Sequence, residues 1–171
     1  MKRIARFHKV SFAQFKEGWV DTFGTIPDAV LQEKYDNIKL PRRATAGSAG
    51  YDFFSTTACQ LKPQETIKIP TGIRVEMENN WVLKLYPRSG LGFKYRLQMN
   101  NTVGIIDSDY FYSDNEGHIF AKVTNDSNEG KTVEFTEGMG FMQGIFVEYG
   151  ITVDDDATAV RNGGFGSTSE G

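Results

Sequence analysis

One cysteine, Cys59, stands in a chain of 171 residues. An intrachain disulfide is therefore excluded, and so is any metal site built on several thiolates. Histidine is nearly as scarce: His8 and His118 alone are too few for a His-rich zinc centre. No run approaches the roughly 18 consecutive apolar residues of a membrane-spanning helix. The opening MKRIARFHKVSFAQF is basic but has neither an apolar h-region nor a small-residue cleavage site. An excess of positive charge is missing too. The formal net charge of -3 argues against a surface built for nucleic acid or anionic membrane, though it leaves room for a small anionic ligand held by local cations. Together these absences read as a protein of a reducing cytoplasm, with Cys59 as a small buried hydrophobe. The length fits one compact domain over residues 1–171, large enough to bury a core without staples.

Two kinds of periodicity are present. Residues 3–10 read as a first strand, after which Ser11 and Gln14 have capping-box spacing. Phe12, Phe15, Trp19 and Phe23 then recur at helical intervals until Gly24 stops the pattern. A second short helix is expected from Pro27 to Asn37, with Leu31 and Tyr35 stacked one turn apart. From about residue 40 the period becomes two. Ile73, Val75 and Met77 alternate with Arg74 and Glu76, and Trp81, Leu83 and Leu85 oppose Lys84 and Tyr86. HIFAKV (118–123), KTVEF (131–135) and GIFVEY (144–149) repeat the alternation. Short strands at this spacing, parted by Gly, Pro, Asn and Asp, predict an all-β fold: a jelly-roll-like antiparallel β-sandwich or barrel carrying a short N-terminal helical insertion at residues 11–37.

Glycine is over-represented, at 18 residues. It gathers in polar segments between the strands: AGSAGYD (46–52), YPRSGLG (86–92), NNTVGIIDSDY (100–110), GMGFMQG (138–144) and the terminal RNGGFGSTSEG. Taken alone, PRSGLG reads equally as a hairpin loop or as a phosphate cradle, since bare backbone N–H groups converge readily on an oxyanion. Arg88 adds a planar fork suited to phosphate oxygens. The tail has no hydrophobic periodicity and is expected to be mobile until something orders it, with Phe165 an aromatic that core packing does not explain.

Five of these motifs, in this order from about Leu40 to Gly171, resemble the homotrimeric dUTP diphosphatase (dUTPase) family: AGSAGYDFFS, YPRSGLG, VGIIDSDY, MQGIFVEY and GGFGSTSEG. The resemblance implies a jelly-roll subunit in a threefold trimer whose active sites are shared between protomers. It implies hydrolysis of dUTP to dUMP and diphosphate with Mg²⁺, which keeps uracil out of DNA and supplies dUMP for thymidylate synthesis. By motif position, Asp107 is the expected general base, and Tyr110 is expected beneath the deoxyribose, excluding a 2′-hydroxyl. Asn101, Thr102 and Gly104 are expected to read the uracil in a β-hairpin pocket. Arg88, Ser89, Gly90 and Gln143 are expected to hold the phosphates, with Asp52 approaching Mg²⁺ through a water. In a C-terminal lid (161–171), Phe165 would cover the base while Gly166, Ser167 and Thr168 close on the γ-phosphate.

Three departures from the family pattern stand out. Arg161 lies four residues before Phe165, where the family usually spaces the pair by five, so it either serves the phosphates at a shifted position or does not serve them. Gly140 stands where the fourth motif usually has arginine, and Lys94 and Arg96 are the candidates to supply the charge. Residues 11–37 and 111–117 are inserted, and they offer surface for a neighbouring subunit or a regulatory protein partner. A dCTP deaminase-like reading is disfavoured, because GHIFAKVTN carries Ala121 and Lys122 where that reaction needs a glutamate. A dUTPase-fold regulatory protein remains the alternative from another class.

Overall fold

A computed structural model describes residues 1–164. In chain order the first half runs β1 (Ala5–Lys9), α1 (Phe12–Phe23), α2 (Asp28–Asp36), β2 (Arg42–Arg43), β3 (Tyr51–Phe54), β4 (Cys59–Leu61), β5 (Thr66–Pro70) and β6 (Ile73–Met77). It continues with β7 (Trp81–Pro87), α3 (Ser89–Tyr95), β8 (Leu97–Met99), β9 (Gly104–Ile106), a 3₁₀ turn (Ser108–Tyr112), β10 (Phe120–Asn125), β11 (Val133–Phe135) and β12 (Gly140–Glu148). The strand pairings are antiparallel, and the largest sheet has the order β2-β3-β12-β7-β9. A second sheet, β5-β10-β8, and the pairs β1-β6 and β11-β4 complete an all-β, jelly-roll-type body.

Alternating strands bury one face each. Ile73, Val75 and Met77 point inward from β6 while Glu76 stays in water, and Val133 and Phe135 flank exposed Glu134 on β11. They meet Phe53, Leu83, Ala121 and Val123 in one core, with half-buried Cys59 packed against it. β12 departs from the expected alternation. It begins four residues earlier than GIFVEY, and its buried apolar side chains are Phe141 and Met142, both from the glycine-rich segment. A register shift between Gly140 and Met142 explains how two consecutive side chains turn inward, since a bulge moves the strand by one residue against its partner.

The N-terminal insertion folds as expected. Ser11 Oγ accepts from Gln14 N at 3.1 Å and caps α1, and Gly24, at φ +83°, closes it. Phe15 and Trp19 pack with Val10 and Leu31 in a second small cluster, and Tyr35 donates its hydroxyl to Val10 O at 2.6 Å. The two insertions hold each other: the Glu116 carboxylate accepts from both Ser11 N (2.7 Å) and Ser11 Oγ (2.6 Å). These bonds from Ser11 pull the Glu116 carboxyl below its usual range despite the opposing effect of burial. Phe111 lies under the Arg74 guanidinium, 3.7 Å from ring centre to Cζ. Among the described residues no helix is long and apolar enough to cross a membrane.

Candidate active site

β8 and β9 are joined by the tight turn through Asn100–Val103, yet they do not pair with each other. β8 joins β10 and β9 joins β7, so each forms the edge of a different sheet. The expected β-hairpin is therefore a wedge. A ladder between two strands consumes their backbone donors and acceptors, and here the two facing edges flank an opening instead. The turn itself is held tightly: Thr102 N donates to Met99 O (2.9 Å) and Val103 N to Asn101 O (2.7 Å). Thr102 adopts φ +68°, a left-handed conformation costly for a β-branched residue. Asn101 and Thr102 are exposed at the tip, while Gly104 is buried at the start of β9.

The opening leads into a cavity of about 780 Å³, with Asn101, Gly104, Asp107 and Tyr110 among its lining residues. Asp107 immediately precedes the 3₁₀ turn, half-buried, and β9 ends one residue before it. Tyr110 is 4% exposed. Its hydroxyl donates to His118 O at 2.6 Å and accepts from Asn115 Nδ2 at 2.8 Å, which fixes the ring at the cavity wall. Burial raises the phenol above its ordinary pKa, against smaller opposing effects of Asn115 and Arg161.

Arg161 closes the same region. Its Nη2 lies 2.6 Å from Asp107 Oδ2 and its Nε 2.8 Å from Asp109 Oδ1. Asn162 O accepts from Asp114 N at 3.0 Å, and Gly164 lies so close to the Tyr110 ring that a Cβ there would overlap it. Residues 161–164, expected as the start of a mobile tail, are thus docked on the chain's own Asp107 and Tyr110. The two ion pairs and the close approach that only glycine permits order them. Phe165, Gly166, Ser167 and Thr168 lie outside the described residues.

The remaining expected residues assemble elsewhere. Asp52, Gln143 and Tyr86 stand opposite one another across β3, β12 and β7. Arg88 Nε reaches Asp52 Oδ1 at 3.3 Å, and Gln143 Nε2 donates weakly to Pro87 O at 3.4 Å. PRSGLG is no hairpin loop: Ser89 and Gly90, both exposed, start α3, and the first N–H groups of a helix have no partner within it. Arg88 also occupies the space above Gly140, its Nη1 2.9 Å from where a Cβ of residue 140 would sit. Arg96 is engaged elsewhere in this chain. It takes a left-handed conformation at the end of α3 and pairs with Asp126 at 2.8 Å, while Lys94 Nζ lies 5.0 Å from the Tyr95 ring centre. None of Asp52, Arg88, Ser89 or Gln143 is among the residues lining the cavity. One chain therefore presents two separate groups of polar site residues.

Sequence reasoning missed part of the cavity wall. Gln14, Glu17 and Asp21 of α1 line it, as do Lys68, Phe120 and Lys122. The capping spacing placed Gln14 in the first turn of a helix, but nothing in the pattern showed that this helix faces the opening. His118, fully buried and bonded to Gln14, is held well below the usual imidazole range, at about 3, because burial penalises its charged form. For metals, no cluster of three or more His, Cys, Asp or Glu side chains converges among the described residues. The hard oxygen donors available are single carboxylates such as Asp52. That set suits a cation arriving on a ligand's phosphates rather than one caged by protein.

Comparison with known proteins identifies the chain's relatives. The family model described as dUTPase matches residues 36–169. The deoxyuridine 5′-triphosphate nucleotidohydrolase of Lactococcus lactis subsp. lactis (strain IL1403) is 37% identical over 144 residues, covering 82% of this chain and 95% of that protein. The Escherichia coli (strain K12 / DH10B) protein of the same name is 36% identical over 135 residues, 74% of this chain and 85% of its own. Among solved structures, the dUTPase of Streptococcus mutans superposes with a TM-score of 0.59 at 36% identity, over 68% of this chain and 89% of that one. A mutant dUTPase from phage phi11 of S. aureus, whose structure is described as revealing the coordination of a structural Mg(II) ion, shares the fold at a TM-score of 0.63 and 20% identity, over 92% of this chain and 98% of its own. With a family match over most of its length and relatives above one-third identity, this chain belongs to the dUTPase family.

Proposed function

We propose that this protein hydrolyses dUTP to dUMP and diphosphate, with Asp107 as the base that orients and deprotonates the attacking water. The observation that carries the reading is the Asp107 carboxylate on the cavity wall, beside a Tyr110 ring that its hydroxyl bonds hold in place. A carboxylate ionised at neutral pH aligns a water by accepting its hydrogen bond and takes the proton as oxygen bonds to the α-phosphorus. The bond from that phosphorus to the bridging oxygen breaks, and diphosphate leaves with the electron pair. A Tyr110 ring unable to swing away supports exclusion of a 2′-hydroxyl, and so discrimination against UTP by steric clash. Asn101, Thr102 and Gly104 fit the base-reading role, because the wedge leaves strand edges facing the opening. Mg²⁺ bound to the phosphates would neutralise charge that develops on the leaving group, and Asp52 would approach it through a water. Arg161, already paired with Asp107 and Asp109, brings a cation to the reacting end.

The separation of the two groups supports a shared site in a homotrimer. Arg88, Ser89, Gly90, Gln143 and Asp52 of one protomer would complete the cavity of a neighbour, and residues 161–171 would close over a site as a lid. Ile105, Tyr149, Ile151 and Val153 are exposed on the isolated chain, and association would withdraw such apolar surface from water. The test is diphosphate release from dUTP, dCTP, dTTP and UTP with Mg²⁺. Release from dUTP alone, falling by roughly 10²–10⁴ in Asp107→Asn with dUTP binding retained, is expected. A folded protein that releases no diphosphate from dUTP overturns the reading.

A further inference from the structure

α1 enters the cavity by one face. Gln14, Glu17, Gly18 and Asp21, spaced by three or four residues, line it. The helix is seated closely: a Cβ at Gly18 would lie 2.8 Å from Phe120 Cζ and 3.0 Å from His118 Cε1, so the backbone packs directly on those rings. The orientation of Gln14 follows from hydrogen-bond chemistry. Gly72 N–H can only donate, and it donates to His118 Nε2 at 2.9 Å. A neutral imidazole accepting at Nε2 carries its proton on Nδ1, so Nδ1 donates to Gln14 Oε1 at 3.2 Å. The Gln14 amide nitrogen is thereby turned the other way. It has one long contact, 3.4 Å to Glu17 Oε2, and a second N–H beyond that. The same wall carries the Glu17 and Asp21 carboxylates, with Lys68 paired to Asp21 at 3.1 Å. Glu17 and Asp21 are the acidic groups beside the Gln14 amide, while Lys122 and Arg161 also line the cavity, so the amide offers a donor to an uncharged, acceptor-bearing group.

We infer that α1 is part of the nucleotide site, and that Gln14 binds the nucleoside end of the substrate through its Nε2 amide. The inference rests on the reading of the cavity as a deoxyuridine nucleotide site and assigns a ligand-binding residue to the N-terminal insertion. Gln14 and the acidic face of α1 hold the nucleoside, and the phosphates extend away toward Asp107 and Arg161.

Gln14→Glu tests this, because it keeps an oxygen for His118 Nδ1 and replaces the donor facing the cavity with a second acceptor. The variant is expected to bind deoxyuridine and dUMP about tenfold more weakly, through loss of one hydrogen bond beside an added like charge. Its Tm and its inhibition by diphosphate are expected to stay unchanged, whereas a purely structural role for Gln14 would lower Tm and leave nucleoside affinity alone. Affinity for deoxyuridine within twofold of wild type overturns the inference. A second measurement uses the wild-type protein: the Gln14 side-chain amide resonances are expected to shift when deoxyuridine is added. If the wild type hydrolyses dUTP while those resonances stay still as deoxyuridine binds, the α1 inference fails and the activity reading stands. If the Gln14 resonances shift with deoxyuridine but dUTP is not hydrolysed, the activity reading fails and the α1 assignment stands. If neither deoxyuridine nor dUTP binds, both fall.

Discussion

Mixing two inactive variants separates a shared active site from a self-contained one. Asp107 lines the cavity, whereas Arg88 pairs with Asp52 outside it. Asp107→Asn removes the base, and Arg88→Ala removes the phosphate-binding cation, with its side chain 45% exposed and so little packing at stake. Each homotrimer is expected to be nearly inactive. In trimers assembled at random from equal amounts of both chains, a working site needs a cavity from an Arg88→Ala protomer and a native Arg88 from an Asp107→Asn neighbour. Each condition is met half the time, so about one quarter of wild-type activity should return. The assay is diphosphate release after co-refolding or co-expression of differently tagged chains; isolating the mixed trimers by both tags removes the inactive homotrimers and should raise the figure to about one third. A site contained within one protomer predicts a different result, because no chain in the mixture is native at both positions. Activity that stays at the level of the separate variants refutes shared sites and the half-site reading of the fold.

Two further outcomes follow from the structure. Truncation before Gly163 removes Gly164 from its place on Tyr110 along with the glycine-rich terminus. Turnover should fall at least tenfold while sedimentation still reports the same oligomer, and unchanged kinetics would eliminate the lid. The buried His118 makes stability depend on pH. Its pKa is about 3 in the fold against about 6.5 in an unfolded chain, so its neutral form is fully compatible with folding above pH 6.5. As pH falls below that value the unfolded state binds the proton first, and stability drops, by about 2 kcal/mol at pH 5. Denaturant titrations at pH 7 and 5 measure the loss. His118→Gln should lack this component, and an equal pH dependence in both proteins would remove His118 as its source.

The sequence determined much of this molecule by local rules. Ser11 with Gln14 and the Phe12, Phe15, Trp19 and Phe23 stripe defined α1 almost to the residue, because capping and helical period are set within a few turns. The alternation of β6 and β11 was equally plain, and the ordered motifs named the family. Other features depended on partners distant in sequence. A bulge against β3 turned Phe141 and Met142 both inward, where a polar loop was expected. β8 and β9 read as a hairpin, and only sheet assembly sent them to different neighbours and opened the cavity between them. The spacing of Arg161 departs from the family pattern, and its position on Asp107 and Asp109 comes from more than fifty residues of intervening fold. Gln14 looked like a capping residue and nothing more. Which face of α1 meets the cavity was decided by Gly18 seating on Phe120 and by His118 holding the Gln14 oxygen, contacts that span about a hundred residues and leave no periodic trace in the chain.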